Sequence, residues 1–132
     1  MPSPPSNMVI ASYRGVGVFV PSTWPHDRLQ CGTPIEDTVI LGHEIVTSCR
    51  LLSPPPVNYV WIRAVDVQHD PLSQVANETV RIDGHRASRG EDRLDDGRER
   101  AVLIIPDRRV LVVAVSADAS LVGLVIESAF VT

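Results

Sequence analysis

Two dipeptides place a histidine beside a carboxylate, His43-Glu44 and His69-Asp70, and His26 and His85 complete the imidazole set. Imidazole and carboxylate groups together are the usual means of holding a divalent metal or of moving a proton. The spacing supports neither use. A helical zinc site needs two histidines one turn apart, and the chain has no HExxH and no H-x-H. No G-x-S-x-G elbow exposes a serine, and the other Ser, His and Asp residues are too scattered to define a triad. Gly15-Val16-Gly17 lies inside a strand-like pair, not ahead of a helix where phosphate-binding glycines belong. Asp95-Asp96 falls in a charged stretch where nothing would desolvate a carboxylate and shift its pKa. The expectation is therefore no catalytic residue, no metal ligand, no cofactor and no enzymatic activity.

Cys31 and Cys49 are the only cysteines, each beside a strand-like run, with Gly32 and Pro34 as turn formers. They admit two readings. A disulfide would staple the intervening loop and contribute about 3 kcal/mol by the chain-entropy model. Alternatively they are two buried thiols, since free cysteine packs as a small apolar residue. Two cysteines without a C-x-x-C or clustered histidines do not make a zinc site.

Composition limits the partners. The chain has 132 residues and a net charge of −4, which argues against nucleic acid and against an anionic membrane surface. No stretch reaches the roughly 18 apolar residues of a membrane-spanning helix. The opening MPSPPSNMVIA has neither a charged start nor an apolar core, so no export signal is expected in it. Residues 1–7 read as a disordered arm or linker and residues 8–132 as one globular domain.

Short valine-rich runs favour strands. An α+β fold is expected, a mostly antiparallel sheet of about seven or eight short strands with one C-terminal helix over 118–127; an all-β sandwich is the alternative. MVIASYRGVGVFVP suggests two strands around Arg14-Gly15. DTVIL and IVTSCRLL flank a hairpin turn at 42–44. In NYVWIRAVDV, Tyr59, Trp61, Arg63 and Val65 face one way and Val60, Ile62 and Ala64 the other. Residues 68–77 form a turn-rich loop, ETVRID a short strand, and RAVLIIP with RVLVVAVS the strongest hairpin. In SADASLVGLVIESAF, Asp118 or Ser116 caps a helix whose face is Leu121, Leu124, Val125 and Ser128. AFVT closes the domain. Residues 83–100 hold six acidic residues, five basic residues and three glycines, and read as a charged mobile loop.

In VPSTWPHDRLQCGTP, Val20-Pro21 ends a strand, Trp24 folds back on the sheet edge as an amphipathic plug, and Pro25 stops any helix. Prolines hold apolar groups in place at modest entropic cost. The candidate binding residues are accordingly Trp24, Pro25, Pro34 and Pro55, at one end of the sheet.

VFVPSTWP, LQCGTPIEDTVI, SCRLLSPPPVNYVWIR and AVLIIPDRRVLVVAVSADASLVGLVIES together resemble a group of small actinobacterial extracytoplasmic domains of uncharacterised function. The pattern is V-P-x-x-W, then C-G-T-P with D-T-V, a second Cys before a proline turn, a hairpin and a D-x-x-L helix. More loosely, the strand-Pro-x-x-Trp and the terminal helix are similar to the PsbP-like fold of bacterial lipoproteins. The resemblance implies a secreted or envelope location, with a cytoplasmic one as the alternative, and favours a Cys31–Cys49 bond. The expected function is a non-catalytic interaction module with an unidentified protein partner. The first alternative is a structural subunit of a larger homo- or hetero-assembly, such as an envelope or phage particle. The second is a small metal-dependent hydrolase using loop histidines and carboxylates.

Overall fold

The computed structural model of the chain describes residues 2–30, 32–43, 45 and 56–132. In chain order the elements are β1 (Met8–Tyr13), β2 (Val16–Pro21), β3 (Leu29–Gln30), β4 (Thr33–Pro34), β5 (Thr38–Leu41) and β6 (Tyr59–Ala64). They continue with β7 (Glu78–Ile82), β8 (His85–Arg93), β9 (Glu99–Ile105), β10 (Val110–Ser116), α1 (Ala119–Glu127) and β11 (Phe130–Val131). The fold is mostly β, largely antiparallel, with one C-terminal helix packed on the sheet, as expected. The 11 strands among the described residues outnumber the seven or eight expected, in part because β3, β4 and β11 are only two residues each.

Among the described residues a six-stranded sheet runs β5-β6-β10-β9-β8-β7, a three-stranded sheet β1-β2-β11, and β3 pairs with β4. The β9–β10 hairpin forms as expected, turning through Pro106–Arg108 with Arg109 at φ 52. It lies at the centre of the large sheet with both faces covered, which is why every residue of Val110–Ser116 is buried and the sequence there is nearly continuous apolar. One face carries Val60, Ile62, Leu103, Ile105, Val110 and Val112, packed against Val16, Val18 and Val20 of the small sheet and Val122, Val125 and Ile126 of α1. The other face holds Val102, Ile104, Leu111, Val113 and Val115 beneath Tyr59, Trp61, Leu72 and Val75. The alternation expected for β6 therefore holds.

Two expectations are corrected. Residues 85–93 of the supposed charged loop are β8, paired with β7 on one side and β9 on the other. The charges survive inside a sheet because they face each other. Asp92 lies opposite Arg100 and bonds its Nε at 2.7 Å, while Arg93 lies opposite Glu99 and bonds it through Nε at 2.9 Å. The helix forms with Asp118 as its cap, Oδ1 accepting from Ser120 N at 2.9 Å and Leu121 N at 3.4 Å. Its buried residues, however, are Val122, Val125 and Ile126, and Leu124 is 45% exposed. The turn toward the sheet is fixed at the C-terminus, where Ser128 Oγ accepts from Phe19 N of β2 at 2.8 Å. β5 pairs with β6 in parallel; of the expected hairpin's second arm, 45–52, only Ile45 is among the described residues.

Candidate functional site

At one end of the large sheet, the tip of the β8–β9 hairpin stands over the start of β6. Arg98 Nη1 donates to the carbonyl of Val57, and its Nε bonds Asp96 Oδ2 at 2.9 Å. Asn58, next in the chain, is held from two directions. Its backbone N donates to Asp37 Oδ1 at 2.9 Å, and its side-chain oxygen accepts from Ala117 N at 3.1 Å. Between these fixed points is a cleft of about 260 Å³ lined by Thr33, Pro34, Ile45, Pro56, Val57, Tyr59, Asp96 and Arg98. Its walls are largely apolar and its rim carries Thr33, one carboxylate and one guanidinium. Burial pushes the Tyr59 phenol above its ordinary value of 10.0, with Arg98 and Arg100 pulling the other way. The Asp96 carboxyl is held below its ordinary value, chiefly by the bond it accepts from Arg98 N.

Of the four candidate binding residues, the structure places Pro34 in this cleft and Trp24 and Pro25 outside its lining. Trp24 is half-buried against the main core. Pro25 belongs to an edge cover. Its carbonyl accepts from Val39 N at 2.9 Å and from the buried Thr38 hydroxyl at 2.8 Å, and His26 bridges Val39 in parallel. Asp27, at φ 56, extends the cover by accepting from Leu41 N at 3.3 Å. Pro55 and both cysteines, hence the expected disulfide, lie outside the described residues.

The histidines are not brought together. His43 is 3.7 Å from Asp27, His69 2.8 Å from Asp66 and His85 2.9 Å from Asp107. Among the described residues no three His, Cys, Asp or Glu side chains are grouped so as to hold a metal.

Sequence reasoning missed Tyr59 and Arg98 as cleft residues, because nothing local shows that a hairpin 40 residues downstream will fold over β6. It also missed the Arg63–Asp70 pair, joined at 2.6 Å with side chains 11% and 9% exposed. Arg63 stacks 4.5 Å from the Trp61 ring centre, while Asp70 Oδ1 accepts from Leu72 N at 3.0 Å and caps the short turn Pro71–Gln74. The pair thus ties the 66–77 loop down over the second core face. His69-Asp70 was the visible signal, but its useful member is the aspartate.

No protein-family model matches the chain, and no curated protein or solved structure is significantly similar to it. Among the described residues no helix is long and apolar enough to cross a membrane.

Proposed function

We propose that this chain is a non-catalytic interaction module of a secreted or envelope protein, and that it receives an extended segment of a protein partner in the cleft under the hairpin tip. The observation that carries the reading is the mostly apolar cleft between Pro34, Pro56 and Tyr59, which Asp96 and Arg98 also line. Proline walls and a hairpin zipped by cross-strand ion pairs lose little freedom on binding, so more of the contact energy appears as affinity. A phenol and a guanidinium beside apolar side chains are the groups that anchor protein interfaces. The location rests on the resemblance to extracytoplasmic domains.

Tagged chain and its Tyr59→Ala/Arg98→Ala variant are compared by mass spectrometry of co-purified proteins, with melting followed in parallel. A partner enriched by the parent and lost by an equally folded variant supports the reading. Equal enrichment by both, or turnover in a hydrolase screen abolished by His43→Ala or His69→Ala, overturns it.

The structural-subunit reading is favoured by a different observation. Among the described residues β7 is the outermost strand of the large sheet and pairs on one side only, with β8, which is the geometry for adding a strand from another chain.

A further inference from the structure

The small sheet has an apolar outer face that belongs to neither core. Met8, Ile10 and Ser12 lie opposite Pro21, Phe19 and Gly17, and Phe130 lies opposite Gly17 on the other side. These residues alternate with Ala11, Val16, Val18 and Val20, which point into the main core. Met8 and Phe130 are only 7% and 6% exposed, yet neither is part of the two core clusters. The Phe130 ring lies flat against the strand beside it, since a Cβ on Gly17 would stand 2.4 Å from its Cζ.

The chain's own beginning reaches this face. Met8 N donates to Pro5 O at 3.0 Å and Ser22 N donates to Asn7 O at 3.0 Å, so the arm turns back at the Met8 end of the sheet. At the far end Pro2 lines a cleft of about 640 Å³ with Asp83, Ser128, Ala129, Phe130, Val131 and Thr132. The lengths agree. From Pro21 to Gly17 a strand covers about 13 Å at roughly 3.3 Å per residue. Pro2 to Pro5 as polyproline II covers about 9 Å at roughly 3.1 Å per residue, with the Pro5–Met8 turn making up the remainder. Pro4, between them, is half-buried.

We propose that the outer face from Met8 to Phe130 is a binding site for a proline-rich extended segment, and that Pro2-Ser3-Pro4-Pro5 occupies it in cis as a displaceable strap. Aromatic and apolar side chains in a shallow groove are what a polyproline II helix docks on, because that helix is already ordered before it binds. Tethering gives the arm an effective concentration in the millimolar range, so it holds the face against weaker competitors and yields to a stronger one. The site lies apart from the hairpin-tip cleft and does not depend on it.

The probe is a synthetic peptide of residues 1–7, MPSPPSN, titrated into the isotope-labelled full chain and into its Pro2→Gly/Pro4→Gly/Pro5→Gly variant. Saturable amide shifts at Gly17 and at Ala129, Phe130 and Val131 are expected, with at least about tenfold tighter binding to the variant, whose own arm no longer competes. MGSGGSN, lacking the prolines, should leave those amides unmoved. Equal binding by the two chains, shifts confined to other surfaces, or equal binding of the glycine peptide would each overturn the proposal.

Discussion

Gly90 of β8 lies so close under Val75 that an added Cβ would stand 1.7 Å from the Val75 carbonyl oxygen and 2.6 Å from its carbon. Both obstacles are backbone, so neither can rotate away. The 66–77 loop therefore seats on the sheet through a glycine at one end and through the Arg63–Asp70 pair at the other. Gly90→Ala is expected to cost about 1–3 kcal/mol in a urea titration and to speed amide exchange over 66–77 before the rest of the chain. Unchanged exchange in that loop would mean that it is held elsewhere.

The helix docks through Val125 and Ile126, at 0% and 2% exposure. Ile126→Ala should destabilise by about 2–5 kcal/mol. Leu124→Ala, at a position 45% exposed, should stay within about 0.5 kcal/mol. Comparable losses from the two, measured by denaturant unfolding, would show that the helix has a different face on the sheet.

Alkaline pH should loosen the cleft. Burial raises the folded-state pKa of Tyr59 above 10.0, so the folded chain holds that proton more tightly than the unfolded chain. This contribution is complete below pH 10.0 and disappears as pH climbs through the raised folded value. Absorbance titration should show a phenol ionising above the ordinary range, and Tyr59→Phe should remove that step and flatten the fall in melting temperature. A Tyr59 that titrates at 10.0 would contradict its burial.

Replacing 84–99 by a short Gly-Ser link should unfold the protein, because it deletes β8 and strands β7. Ala87, fully buried in the main core, goes with it. A melting temperature within a few degrees of the parent would mean that this half of the sheet is dispensable.

That segment also shows where the sequence is readable. Asp83-Gly84 is a two-residue hairpin signal, and both residues have the positive φ it requires, 50 and 82. Asp92-Arg93 and Glu99-Arg100 mirror one another in sign about the Leu94–Arg98 turn, which is what cross-strand pairing needs. Both cues are local and were outweighed by the density of charge. Tyr13-Arg14-Gly15-Val16, the β9–β10 hairpin and the Asp118 cap were legible because each depends on neighbours in the chain. The parallel β5–β6 pairing and the Tyr59–Arg98 cleft depend on chain passing between distant elements, and no periodicity encodes that. Helix rotation was misread because Val, Leu and Ile surround most of α1, so an apolar stripe alone does not choose a face.

Cys31 and Cys49 should be bonded in the mature protein. Intact mass after alkylation without reductant should show no added label, and reduction should lower stability by about 3 kcal/mol. Two alkylated thiols in native, air-handled protein would reject the bond.

The cover of Pro25, His26 and Asp27 on β5 has a consequence for self-association. With that flank of the large sheet closed by a three-residue segment that begins with a donorless proline, the β7 flank is, among the described residues, the one left to accept another strand. A sheet with a single accepting flank cannot polymerise head to tail. Two copies joined flank to flank about a two-fold axis consume both accepting strands and stop. Strand addition at the described edges of this sheet would therefore end at a pair, a limit set by the same short cover that completes the fold.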